Sequence, residues 1–145
     1  MPGATGYEVS RNGTVLGTTT TTSFRPATSA LNARANYTVV ATYGSLRSSS
    51  STAVSAGRFV GDRGRDGIYG FITVSLAVTG QRVTGCWASY PTSGDSGPIN
   101  TVAIPTLCTE AIAAQSATIA SVSGATYTSP AFTTSLQSAL TRAGI

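Results

Sequence analysis

Ser123-Gly124-Ala125-Thr126-Tyr127-Thr128-Ser129, followed by Pro130, is the stretch from which the rest of the chain can be read. Ser129 suits an N-cap, and Pro130 suits the first helical position, where its missing N–H costs nothing. Phe132, Leu136, Ala139 and Leu140 then recur at helical spacing, and Gly144 supplies the stop. A loop of small, hydroxyl-bearing residues thus runs into a helix N-terminus. Free amides and the positive end of the helix dipole suit such a place to an anion, phosphate above all. Ser123, Thr126, Thr128 and Ser129 add hydroxyls to the same loop. Taken alone, the pattern also fits a plain capped helix, so its surroundings decide the reading.

Working back from the loop, Ala117 to Val122 reads as a short extended link. Before it, Ile104, Leu107, Cys108, Ala111 and Ile112 share one helical face. Asn100 and Thr101 would form a first turn that Pro105 kinks or interrupts. Pro91 to Pro98 is rich in Gly, Ser and Thr and reads as a loop. Ile72, Val74, Leu76 and Val78 alternate with Phe71, Thr73, Ser75 and Ala77, which predicts a strand. Thr79-Gly80-Gln81 turns it, and Val83 to Tyr90 returns with Cys86 and Trp87, the latter assigned to the core. Arg58-Phe59-Val60-Gly61 is a further strand, and Asp62 to Gly67 a polar, glycine-rich loop. The order strand, hairpin, helix, short strand, loop, helix describes an α+β domain, an antiparallel sheet with helices packed on it.

The chain has 145 residues, 41% hydrophobic and 10% charged, which argues for folded, β-rich material. Its net charge of +4 comes from nine Arg and no Lys. They are spread singly from Arg11 to Arg142 instead of clustering as a nucleic-acid patch would. There is no His, which removes the usual general base and the commonest metal ligand. Cys86 and Cys108 lack metal-ligand spacing, so no metal site is predicted. They fit either one disulfide or two buried core residues. No apolar run approaches a membrane span, and no signal peptide precedes the first strand. No Gly-rich fingerprint for a nicotinamide cofactor is present.

Residues 1–56 read as all-β. Tyr7-Glu8-Val9 is a strand, Asn12-Gly13 a tight turn, and Val15-Leu16-Gly17 the start of the return strand. Ser23-Phe24 is a further short strand. The alternation of Tyr37, Val39 and Ala41 predicts a half-buried strand. Thr18 to Thr22 and Ser48 to Ser51 are low-complexity runs, one a loop and the other the end of an edge strand.

Gly6 to Thr14, with Leu31, Tyr37 and Val39, is similar to the later part of a fibronectin type III module. That implies a partial Ig-like sandwich over residues 1–56, with Tyr37 as its tyrosine-corner residue. Such sandwiches need about 100 residues, and the first strands are missing, so the chain is expected to begin part-way through a module.

Residues 58–145 resemble the FMN-binding domain family. This is the domain found in the C subunit of sodium-translocating NADH:quinone oxidoreductase and in the G subunit of the Rnf complex. Tyr69-Gly70, Tyr90-Pro91, Ile99-Asn100, Ala103-Ile104-Pro105, Glu110-Ala111, Ala114 to Ala117, Val122 to Ser129 and Ser135 to Leu140 carry the resemblance. It implies FMN as cofactor and Thr126 as the acceptor of a phosphoester bond made from FAD by a flavin transferase. It also implies redox partner proteins, a membrane-associated parent protein and an extracytoplasmic location. Ser123 to Ser129 would hold the phosphate. Tyr69, Tyr90 and Tyr127 would flank the flavin ring or serve as interfacial core residues. The family usually carries Asp three residues before the motif's serine, where this chain has Ala120. The resemblance therefore leaves two readings open, an electron carrier or a structural module of the envelope with a degenerate or only non-covalent flavin site.

Overall fold

Strand β7 (Gly70–Thr79) is the spine of the second half of the chain. Its alternating side chains Ile72, Val74, Leu76 and Val78 are all buried, as a strand with one face against a core requires. The structure, a computed structural model, describes residues 3–26 and 30–145. It divides into two units, Met1–Ala30 with Arg34–Ala56, and Leu31–Ala33 with Gly57–Ile145.

In the first unit β1 (Gly6–Arg11) lies between β2 (Thr14–Thr19) and β3 (Ala33–Tyr43), all antiparallel, and β4 (Leu46–Arg47) pairs with β3. Asn12-Gly13 makes the β1–β2 turn with both residues at positive φ, the conformation that favours this dipeptide. Among the described residues, Val9 and Ala41 are its buried apolar side chains. Ser23-Phe24 is not a strand. The Thr21 hydroxyl donates to the Ser23 carbonyl at 3.0 Å, and such local bonds divert backbone from a ladder. Leu31 and Val39 are exposed. The serine run has a defined role: Ser48 Oγ accepts the Ala41 N–H at 3.0 Å and Ser51 Oγ that of Val39 at 2.9 Å, covering amides of β3.

In the second unit β7 pairs with β8 (Arg82–Ser89) and, on its other side, with β5 (Val54–Val60) and β6 (Gly64–Asp66). Helix α1 (Ser96–Ala114) packs on β8, and α2 (Thr128–Ala143) on β6 and β7. This is an α+β fold with an antiparallel sheet and two helices. Phe59, the β7 stripe, Leu107, Phe132 and Leu136 form its core.

The structure departs from the sequence reading at five places. Part of Asp62 to Gly67 is strand β6, because Gly61 and Gly64 lie directly against α2. A Cβ on either would sit 1.9 Å from a carbonyl oxygen, of Ser135 and Ala131 respectively. Helix α1 begins at Ser96 and runs unbroken through Pro98 and Pro105. Pro105 is exposed, and burial of Ile104, Leu107 and Ala111 offsets the roughly 3 kcal/mol that an interior proline costs. Residues 117–122 form no strand. Trp87 is 42% exposed and stacks under Arg58, 4.8 Å from its ring centroid. Its neighbour Cys86 is disulfide-bonded to Cys108 of α1, so alternation along β8 turns the indole the other way. Helix α2 starts at Thr128, with Tyr127 as its N-cap residue, so Ser129 is not the cap. The Ser129 amide already bonds to the Ala125 carbonyl at 3.0 Å.

Candidate functional site

The N-termini of α1 and α2 converge on one buried polar cluster. Asp66, at the end of β6, is 1% exposed. Its Oδ2 accepts the Ser96 hydroxyl at 2.6 Å and Asn100 Nδ2 at 3.1 Å. Asn100, wholly buried, also lies 3.0 Å from the Pro91 carbonyl, and its Oδ1 accepts the Thr128 hydroxyl at 2.6 Å. The cluster thereby ties β6, the 91–95 loop, α1 and the first residue of α2 together. Buried polar groups of this kind hold one arrangement when satisfied.

Above the cluster runs the loop 123–127. Gly124 takes φ +81, a conformation that costs other residues energy. The Ala125 amide bonds to the Val122 carbonyl at 3.0 Å, and the Ser129 hydroxyl oxygen accepts the Val122 N–H at 3.1 Å. Among the described residues, the amides of Thr126, Tyr127 and Thr128 have no acceptor within the chain. These are the orphan donors of a helix start, and no side chain caps them.

Two clefts flank the loop. The first is lined by Asp66, Tyr69, Asp95, Ser96, Ile99 and residues 124–128. The second is more open and lined by Pro98, Ile99, Val102, Ala103 and residues 122–125. They share Ile99, Gly124 and Ala125. The Tyr69 and Tyr127 rings stand 6.4 Å apart at 58°. Ile99 and Val102, exposed at 41% and 68%, give the second cleft an apolar wall.

The residues singled out from sequence therefore divide. Ser123, Gly124, Thr126 and Tyr127 are exposed on the loop, and Tyr69 faces the first cleft. Ala125 is buried but borders both clefts. Thr128 borders the first cleft and Ser129 does not; both are buried, the Thr128 hydroxyl donating to Asn100 and the Ser129 hydroxyl oxygen accepting from the Val122 amide. Tyr90 packs against the core and lines neither cleft. Asp66, Ser96 and the structural role of Asn100 were missed. The signal was present: Ser96 and Asn100 extend the buried stripe Ile104, Leu107 and Ala111 at helical spacing, and polar residues there need buried partners.

The FMN-binding domain model matches residues 67–141. The chain belongs to that family, and FMN is its cofactor. No curated protein matches the chain.

Proposed function

We propose that this member of the FMN-binding domain family is an electron carrier of the cell envelope that holds FMN at the 123–127 loop, with Thr126 as the point of attachment. The observation that carries this reading is the exposed Thr126 side chain at the mouth of a cleft, beside three unpaired amides at the N-terminus of α2. Those amides and the helix dipole favour a phosphate. The residues present fit the cofactor: a cradle for its phosphate, and the rings of Tyr69 and Tyr127 or the Ile99–Val102 wall for its flat ring system. The flavin supplies the redox chemistry, and the chain supplies binding and orientation.

In covalent attachment by a flavin transferase, Thr126 Oγ would accept the FMN phosphoryl group from FAD, with AMP as the leaving group and the hydroxyl proton released. A tethered flavin suits an extracytoplasmic carrier exchanging electrons with partner proteins of a membrane-associated assembly. The Cys86–Cys108 disulfide supports an oxidising compartment. Residues 1–56 would then be a fibronectin-like spacer, for which the antiparallel β2–β1–β3 arrangement is suited.

One observation favours a second reading, reversible FMN binding. Ala120 stands where the family usually has Asp, and its amide is bonded to the Glu110 carboxylate at 3.0 Å. Co-expression with a flavin transferase separates the two. A mass gain of one FMN, abolished in Thr126→Val, supports attachment at Thr126. A yellow protein of unchanged mass supports reversible binding, and a colourless protein that ignores added FMN leaves only a structural module.

A further inference from the structure

The cleft beside Thr126 offers a phosphate backbone amides but no positive side chain. Among the described residues its walls carry two carboxylates, Asp66 and Asp95, and no Arg. Asp66 is 1% exposed, and while its Oδ2 accepts from Ser96 and Asn100, its Oδ1 has no hydrogen-bond partner. A buried carboxylate oxygen without a partner is rare and costly. Asp95 sits at the N-cap of α1 yet makes no capping bond there. Two carboxylates and an approaching phosphate repel one another unless something positive lies between them.

We propose that this cleft takes a divalent cation, Mg2+, together with the flavin phosphate, the cation bridging the Asp66 and Asp95 carboxylates to phosphate oxygens beside Thr126. The inference rests on the flavin reading above and adds to it a metal dependence. Mg2+ keeps several waters and is commonly held by one or two carboxylates plus phosphate oxygens, without a complete protein cage. That matches this site. Among the described residues no three His, Cys, Asp or Glu side chains converge to hold a metal. The phosphate must therefore complete the coordination, and cation binding becomes conditional on it. Asp66 would contribute the oxygen the fold leaves unpaired, and Asp95, on the rim, the second.

The test is flavin affinity of the intact chain, without transferase, read by fluorescence in MgCl2 and in EDTA at equal ionic strength. FMN is expected to bind about tenfold more tightly with Mg2+, while riboflavin, which has no phosphate, is indifferent to it. Asp95→Asn should shrink the Mg2+ effect, and Asp66→Asn should abolish it while leaving residual FMN binding. Asp66 also anchors Ser96 and Asn100, so the melting temperature of Asp66→Asn is checked first. If that variant is unfolded, Asp95→Asn and the riboflavin comparison decide. FMN affinity unaffected by Mg2+ overturns the cation and leaves the flavin reading intact. An equal Mg2+ effect on riboflavin also overturns it. Failure of both flavins to bind under every condition removes the flavin reading itself, and the cation with it.

Discussion

The Thr128 hydroxyl donates to Asn100 Oδ1 at 2.6 Å, joining the first residue of α2 to a wholly buried side chain of α1. Through Asn100 Nδ2 the link continues to Asp66 and the Pro91 carbonyl. Asn100→Ala would strand the Thr128 hydroxyl and remove a donor to Asp66. An unsatisfied buried polar group costs about 1–3 kcal/mol, so urea denaturation should show a loss near the upper end of that range. Ser123→Ala, on the exposed loop, should change stability by less than about 0.5 kcal/mol. Equal effects from the two would mean that the cluster does not stabilise the site.

Gly64 tests how closely β6 approaches α2. A Cβ there would lie 1.9 Å from the Ala131 carbonyl oxygen, which belongs to helix backbone and cannot swing away. Gly64→Ala should cost about 3 kcal/mol or more, as overpacking against backbone does. Gly124→Ala meets open space and only the strain of φ +81, about 1–2 kcal/mol. Thermal melting of the pair should rank them in that order, with flavin binding the property more sensitive to Gly124→Ala.

The same glycines show where sequence reading ran out. Helix α2 and the β7–β8 hairpin were legible because Phe132, Leu136 and Leu140, and Ile72 to Val78, carry clean periods of 3.6 and 2. Strand β6 was not, because Gly64-Arg65-Asp66 has no apolar alternation, and its pairing follows from a contact with α2 distant in the chain. Helix α1 was read too short because two prolines argue locally against a helix that tertiary burial sustains. At the site, the Ser123 to Tyr127 loop was visible as a motif. Whether Thr128 and Ser129 face out or in depends on Asn100 and Val122, and no local pattern encodes that.

The Cys86–Cys108 disulfide fastens β8 to α1, closing a loop with a sequence separation of 22. By the chain-entropy account a loop of this size is worth about 3 kcal/mol. Reduction with dithiothreitol, or the Cys86→Ser, Cys108→Ser double variant, should lower the denaturation midpoint accordingly. Cys108 belongs to the core with Leu107 and Ala111, Cys86 packs against it, and neither lines a cleft beside the 123–127 loop, so flavin affinity measured well below the midpoint should change little. A protein whose stability is indifferent to reduction would show that the core alone fixes α1 against the sheet.

Asp62 supplies a pH prediction. Its carboxyl is held below the usual aspartate range by the hydrogen bond from Ser138, then by the hydrogen bond and the charge of Arg142. Ser138 Oγ lies 2.9 Å from Asp62 Oδ2, and Arg142 pairs with Oδ1 at 2.5 Å, fastening α2 to the β5–β6 link. A carboxyl with a lower pKa folded than unfolded stabilises the native state above its unfolded pKa, about 3.9 for an ordinary Asp. That contribution fades as pH falls through the folded value. The carboxylate is exposed, so solvent and salt screen it and the effect is small. Comparing the chain with Asp62→Asn isolates it. The difference in urea midpoint should be constant at neutral pH, narrow between about pH 5 and pH 3, and shrink in high salt. A difference that widens on acidification would reverse the sign of the linkage and remove the Asp62–Arg142 pair from the account of how α2 is held.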